Sequence, residues 1–201
     1  MTPGARIAAA IEILDEINGG APAEKALTGW ARRSRFAGSK DRAAIRDHVF
    51  DALRCRRSFA ALGGGEDGRA LMIGALRAGG VPIETIFTGE GHAPPPVSAE
   101  QAAAGRRPSD GAEAGDIPDW LWPHFRDSLG EAAETEAEAL RHRAPVHLRV
   151  NIGKTDPTAA QDLLRQEGIE TKAHPACATA LEVLAGARSI NASRVYREGL
   201  V

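Results

Sequence analysis

The chain has 201 residues, 43% apolar and 26% charged, which is typical of a globular protein with one or two hydrophobic cores. No apolar run approaches the roughly 20 residues that a membrane-spanning helix needs, and the first residues lack the apolar stretch of a signal peptide. We therefore expect a cytoplasmic protein that has no membrane partner. Aromatic residues make up only 4% of the chain, so base stacking is not expected to be its main means of binding.

The net charge of −2 is unevenly distributed along the chain. Residues 30–57 carry nine basic residues against three acidic ones, whereas residues 98–144 carry ten acidic residues against five basic ones. A mildly acidic protein with one strongly basic segment is typical of a protein that meets a polyanion on one face.

The first half of the chain is predicted to form short amphipathic helices. Thr2 is the expected N-cap of the first helix, which ends at the Asn-Gly-Gly sequence at 18–20. Apolar residues at helical spacing predict a second helix over 22–33 and a third after Ser39, the expected N-cap of that helix. A fourth helix is predicted over 67–78.

The middle of the chain changes composition. Residues 89–118 contain five glycines and five prolines, which predicts a flexible insert over 89–117. Within this insert Ser98 and Gln101 fit a capping box and indicate one short helix.

Helical patterning returns over 118–129 and again over 131–143. Trp120 and Trp122 lie in the first of these stretches, and we expect both indole rings to pack. These helices are predicted to link the domains.

At Pro145 the apolar period changes from 3.6 to 2, which predicts a half-buried strand over 146–150. A helix is predicted to begin at Asp156, and a second strand over 169–172. This β-α-β order indicates a small α+β module at 145–201.

Several motifs have the form of a functional site without its context. The glycines at 63–68 match G-x-G-x-x-G, but they follow a predicted helix, so we interpret them as a turn between helices. The Gly-Lys-Thr sequence at 153–155 lacks the earlier glycine of a phosphate-binding loop. The six histidines include no H-x-x-x-H pair, so no metal site is expected. Cys55 lies on the edge of an apolar stripe and is predicted to be a packing residue.

The basic segment is the strongest candidate for a binding site. Its arginines lie on both sides of a turn at 38–39, so their side chains and the free amides of a helix N-terminus are able to converge on a phosphate. The alternative is a solvated, arginine-rich surface. We favour phosphate binding because the excess positive charge lies in a protein that is negative overall, and we expect contacts with the backbone of a folded RNA.

Several parts of the sequence resemble a known family. The F-A-G-S-K-D-R sequence at 36–42, together with Trp30 and the following helix, resembles the NusB-like helical domain that begins bacterial RNA cytosine-C5 methyltransferases of the RsmB family. The P-D-W-L sequence at 118–121, the P-V-H-L-R-V-N sequence at 145–151 and Lys154 resemble the segment that precedes the catalytic domain of that family.

The resemblance implies methyl transfer from S-adenosylmethionine to C5 of a cytosine in ribosomal RNA, by a Rossmann-like domain that follows these two. In the family a cysteine thiolate adds to C6 of the base. Neither Cys55 nor Cys177 is followed by the proline of the family's catalytic motif. We therefore expect no catalytic, cofactor-binding or metal-binding residue in this chain, which alone should be inactive. S-adenosylmethionine is expected as the cofactor of the parent enzyme only.

The predicted partner is RNA, ribosomal RNA if the resemblance holds. The residues predicted to contact it are Arg32, Arg33, Arg35, Lys40, Arg42, Arg46, Arg149 and Lys154.

These arguments predict a mainly α fold with a small α+β module. We expect the first part of a NusB-like RNA-binding domain at 1–88, a flexible insert at 89–117, linking helices at 118–144, and the α+β module at 145–201. The chain would then be the RNA-binding N-terminal part of an rRNA (cytosine-C5) methyltransferase, truncated before its S-adenosylmethionine domain.

Two other hypotheses stay open at this point. The first is a free-standing NusB-like module that binds RNA or protein in transcription or ribosome assembly, for which residues 145–201 are a poor fit. The second is a protein-interaction scaffold that uses the acidic residues of 98–144.

Overall fold

The structure is a computed structural model that describes residues 1–201, apart from the side chain of Arg188. Its contacts divide the chain into two compact units, Met1–Arg143 and Ala144–Val201, here called the helical unit and the sheet unit. The fold is mainly α with a small α+β module, which confirms the predicted fold class. Among the described residues, no helix is both long and apolar enough to cross a membrane.

The helical unit has its main core among its first five helices. Ile13, Leu14, Ile45 and Leu71 are fully buried there, because apolar residues recur at helical spacing on three of these helices. The helices of this unit are α1 (Pro3–Asn18), α2 (Ala23–Arg33), α3 (Ser39–Arg54), α4 (Arg56–Gly63), α5 (Gly68–Ala78), α6 (Ala99–Ala104), α7 (Trp122–Leu129) and α8 (Ala133–Arg141).

The ends of these helices follow local capping chemistry. The Thr2 hydroxyl accepts a hydrogen bond from the Ala5 N–H at the start of α1, and Ser98 forms the predicted capping box at α6. The expected N-cap of α3 is wrong by one residue. Ser39 is already helical, since the N–H of Arg42 bonds to the carbonyl of Gly38, which is the cap residue.

The glycine-rich turn at 63–68 connects α4 to α5, as predicted, and lets the two helices approach very closely. A Cβ atom at Gly63 would lie 1.8 Å from the carbonyl oxygen of Ala70, and one at Gly74 would lie 1.9 Å from that of Phe59. Only glycine, which has no Cβ atom, fits at these two positions.

The segment at 89–117 is hydrogen-bonded to both α4 and α5. The N–H of Arg106 donates to a carbonyl of α4 at 2.8 Å. The Arg69 guanidinium donates to the carbonyl of Pro95 at 2.9 Å, and that of Arg77 donates to the carbonyl of Ala102 at 2.8 Å. The mobility of the segment stays a prediction. These hydrogen bonds would have to be lost for the segment to move.

The next helices are shorter than predicted. The chain turns at Pro118, whose carbonyl accepts from two successive N–H groups, so α7 begins only at Trp122. The rings of Trp122 and Phe125 stack with centroids 6.1 Å apart. Trp120, in the turn, is 73% exposed, so the expectation that both tryptophans pack is wrong for this residue.

The sheet unit contains a three-stranded antiparallel sheet in the order β1-β3-β2. The predicted strands and helix are present, and the Asp156 carboxylate caps the helix by accepting from two N–H groups. The central strand β3 was not predicted. Both β1 and β2 pair with β3, and they do not pair with one another. The elements are β1 (Val146–Arg149), α9 (Pro157–Gln166), β2 (Glu170–His174), β3 (Cys177–Ala185) and α10 (Arg194–Arg197).

One face of this sheet packs on α9. Leu148 of β1 pairs in register with Leu181 of β3, and Leu164 and Ile169 are buried in the same core. The strand period of two places the polar neighbours of Leu148 on the opposite face.

Candidate nucleic-acid interface

The basic side chains of α2, α3 and the loop between them line a surface groove of about 490 Å³. Trp30 and Ile45 are buried beside it and fix the two helices, which leaves the neighbouring polar positions facing solvent. We call it the basic groove, and its cationic residues are Arg32, Arg35, Arg42 and Arg46.

The cations of the basic groove differ in their partners. Arg46 forms an ion pair with Glu24 and its guanidinium lies 5.4 Å from the centre of the Phe50 ring. The other three arginines are exposed and pair with no carboxylate among the described side chains. Their charges are thus available to an anionic ligand.

Two of the residues predicted to contact RNA lie elsewhere in the helical unit. Arg33 turns towards α1, where its guanidinium lies 3.1 Å from the carboxylate of Glu12 and 3.4 Å from that of Glu16. These hydrogen bonds, that of Glu12 first, raise the pKa of Arg33. Lys40 is exposed in the first turn of α3 but is not part of the groove wall.

The N-terminus of α3 carries an acidic residue with two cationic partners. The Asp41 carboxylate accepts hydrogen bonds from the Met1 ammonium at 3.2 Å and from Nε of Arg6 at 2.9 Å. These contacts, the ammonium first, lower the pKa of Asp41. Phosphate binding by the amides of this helix stays a prediction.

The remaining two predicted residues lie in the sheet unit. Arg149 is exposed at the end of β1, which is an edge strand. Lys154 donates to the carbonyl of Glu198 at 2.6 Å, and the Asn151 amide donates to that of Gly199 at 3.0 Å. Lys154 thus has a structural partner, whereas Arg149 faces solvent.

The two cysteines differ in environment. Cys55 packs in the core, as predicted, and is more deeply buried than its position at the edge of an apolar stripe indicates. Burial raises the pKa of its thiol, which makes it a poor nucleophile. Cys177 is exposed, and a hydrogen bond with the Thr179 hydroxyl lowers its pKa. No group of three or more metal-ligating side chains occurs among the described residues.

Phe36 is a further candidate functional residue that was not predicted from the sequence. Its ring is 76% exposed and directly follows Arg35 of the basic groove. The sequence did contain a signal for this residue, because Phe36 is an aromatic residue that lies between basic residues and outside the predicted helices. The low aromatic content of the chain had argued against stacking and so drew attention away from it.

Comparison with known proteins relates part of the chain to RNA methyltransferases. The model of the RsmF/B-like methyltransferase ferredoxin-like domain matches residues 117–191, which include α7, α8 and the three strands. A search of curated proteins found no match.

A solved structure, titled "Crystal Structure of PH0851", is similar to the whole chain. Its TM-score is 0.60 at 16% sequence identity, and the alignment covers 100% of this chain and 52% of that one. At this identity the likeness concerns the fold alone. The chain spans about half the length of that protein.

Proposed function

We propose that the chain is the RNA-binding part of a longer, S-adenosylmethionine-dependent rRNA (cytosine-C5) methyltransferase, and that its helical unit is NusB-like. The match of residues 117–191 to the RsmF/B-like domain carries this proposal. The position of the RNA is inferred from the basic groove.

The glycine-rich turn at 63–68 is a poor fit for S-adenosylmethionine. Cofactor binding by a Rossmann-like domain requires a glycine turn between a strand and a helix, open to the ligand. The glycine-rich turn here follows α4, and a Cβ at Gly64 would lie 2.5 Å from Cβ of Ala104. In this proposal another domain of the longer protein carries out methyl transfer.

The basic groove has the chemistry of a phosphate-binding surface. Arg32, Arg35 and Arg42 each present a planar guanidinium that can bind phosphate oxygens through two parallel N–H donors. These contacts would position an RNA strand without specifying its sequence. The role of the helical unit in this proposal is thus to hold the RNA substrate in place for the catalytic domain.

Salt dependence tests this assignment, because each neutralised phosphate releases counterions. The triple variant Arg32→Glu, Arg35→Glu, Arg42→Glu should weaken RNA binding, and the slope of log affinity against log salt should fall by about 2 to 3. Fluorescence anisotropy with a labelled ribosomal RNA fragment at several salt concentrations measures both quantities.

The matched control replaces three exposed arginines outside the groove by glutamate, which changes the net charge equally. These arginines are Arg107, Arg126 and Arg197. This control triple should keep most of the affinity and the slope. Equal losses in both triples would show that only net charge matters and would refute the groove. RNA affinity that is negligible in the unmodified chain would instead favour a protein-binding scaffold.

A further inference from the structure

Phe36 is an exposed aromatic ring on a tightly held turn. Its neighbours Ser34 and Ala37 are 8% and 3% exposed, and the N–H of Ala37 donates to the carbonyl of Ser34 at 3.0 Å. The backbone that carries the ring is therefore held in place, although 76% of the surface of Phe36 faces water. Burying an aromatic ring is favourable, so a partner that covers this ring would gain binding free energy.

Phe36 lines a second groove, of about 780 Å³, which we call the apolar groove. Ala5, Ala9 and Trp30 form other parts of its wall, and Trp30 also forms part of the wall of the basic groove. The two grooves thus adjoin at the end of α2. Arg35 lines the basic groove and Phe36 lines the apolar groove. Because the Cα atoms of consecutive residues lie about 3.8 Å apart, the two residues can contact one RNA strand together.

The charges of the apolar groove disfavour a phosphate. Glu90 is an exposed carboxylate at its wall, and Glu12, also at the wall, is already paired with Arg33. His92 is the remaining titratable side chain of the wall, and the Met1 ammonium, also at the wall, is already paired with Asp41. An uncharged planar ring fits these surroundings, whereas a phosphate is favoured beside the arginines of the basic groove.

We propose that Phe36 stacks on an unpaired RNA base, which enters the apolar groove while a phosphate of the same strand is bound at Arg35 in the basic groove. The inference rests on the proposed RNA-binding function and adds to it the class of substrate. An unpaired base can leave its stack and cover an aromatic ring. A continuous duplex cannot offer this contact.

The proposal is tested by measuring the affinity of each variant for single-stranded RNA and for a duplex of the same sequence. Phe36→Ala should weaken single-strand binding by roughly 5- to 100-fold, the range for loss of one stacked base, and leave duplex binding unchanged. Phe36→Trp should retain single-strand affinity. Phe36→Leu should weaken single-strand binding as much as Phe36→Ala does, because leucine is apolar but offers no π face. Trp120→Ala, which removes an equally exposed aromatic residue, should have no effect.

Photochemical cross-linking locates the contact directly. RNA that carries 5-iodouridine should cross-link to Phe36, identified by mass spectrometry, and the Phe36→Leu chain should lose this cross-link. No cross-link, or unchanged single-strand affinity in Phe36→Ala, would overturn the proposal. Full rescue of single-strand affinity by Phe36→Leu would indicate an apolar contact with the RNA that does not require stacking, and would also overturn it.

Failure of this inference is distinguishable from failure of the proposed function. If only stacking is wrong, the triple glutamate variant of the basic groove still loses RNA affinity and salt slope. If the unmodified chain binds no RNA, both proposals are wrong.

Discussion

The carboxylate of Asp116 accepts hydrogen bonds from both the backbone N–H and the hydroxyl of Ser58, at 2.8 and 2.7 Å. Ser58 lies in the first turn of α4, where N–H groups have no helical acceptor. Nε of Arg141, at the end of α8, donates to the same carboxylate at 2.8 Å. Asp116 thus caps one helix and ties a second to it, and its side chain is only 3% exposed.

Removal of the Asp116 carboxylate should destabilise the helical unit. Asp116→Ala leaves the Ser58 N–H and Nε of the half-buried Arg141 without their acceptor, and should lower the free energy of unfolding by about 3 kcal/mol. Urea denaturation measures this. Asp110→Ala, in the same segment but with a 92% exposed side chain, should cost less than about 0.5 kcal/mol. Equal effects of the two variants would refute the capping role.

Replacing a helical glycine by alanine should have opposite effects on stability at two positions, because only one of them lies where α4 and α5 approach closely. Gly74→Ala should destabilise the protein by about 2 kcal/mol or more, because its Cβ would overlap the carbonyl of Phe59. Gly29→Ala in α2 meets only the flexible end of Arg33 and should stabilise by up to about 1 kcal/mol through helix propensity. Thermal unfolding followed by circular dichroism compares them. A Gly74→Ala protein as stable as the unmodified chain would contradict this packing.

Glu113 should titrate well below an ordinary glutamate. The Arg106 guanidinium binds its carboxylate at 2.6 and 2.7 Å and the Ser109 N–H donates to it, and these contacts lower its pKa from 4.5 to about 2. A lowered pKa gives stability that is present above pH 4.5 and is lost as the pH falls towards 2. Carboxyl NMR should show a midpoint near 2, which returns towards 4.5 in Arg106→Ala. A midpoint of 4.5 in the unmodified chain would contradict the ion pair.

Trypsin should cut the segment at 89–117 before the rest of the chain, near Arg106 and Arg107. The Arg107 side chain is 89% exposed and lies in irregular backbone, and the segment contains few large apolar groups to offset the entropy of ordering it. Arg77→Ala, which removes the hydrogen bond to Ala102, should accelerate cleavage. Strong protection of both bonds would show that the contacts with α4 and α5, together with the Arg106–Glu113 ion pair, hold the segment rigidly.

The chain alone should neither bind S-adenosylmethionine measurably nor methylate RNA. Its glycine-rich turn is closed by helix packing, and extruding a cytosine costs a few kcal/mol that a closed pocket must offset. Titration calorimetry with the cofactor and a tritiated-methyl assay on ribosomal RNA measure the two activities. Tight cofactor binding, or methyl transfer that is lost in Cys55→Ser or Cys177→Ser, would contradict this expectation.

Features that depend on neighbouring residues were predictable from the sequence. The caps at Thr2 and Asp156 and the capping box at Ser98 follow from side chains that reach amides two or three residues away. The turn at 63–68 and the strand period after Pro145 are equally local. The mainly α fold class followed from these signals.

Only the tertiary structure decided which distant residues meet. Strand β3 begins with small residues that have little strand signal, and it is stabilised by pairing with β1 and β2 on both sides. Asp116 caps a helix that precedes it by 58 residues. Arg33 faces the acids of α1 whereas Arg35 lines the basic groove, and Phe36 stays in water. These outcomes depend on how helices pack, which composition and local spacing do not specify, because long-range contacts form only when separate segments bury their apolar faces together.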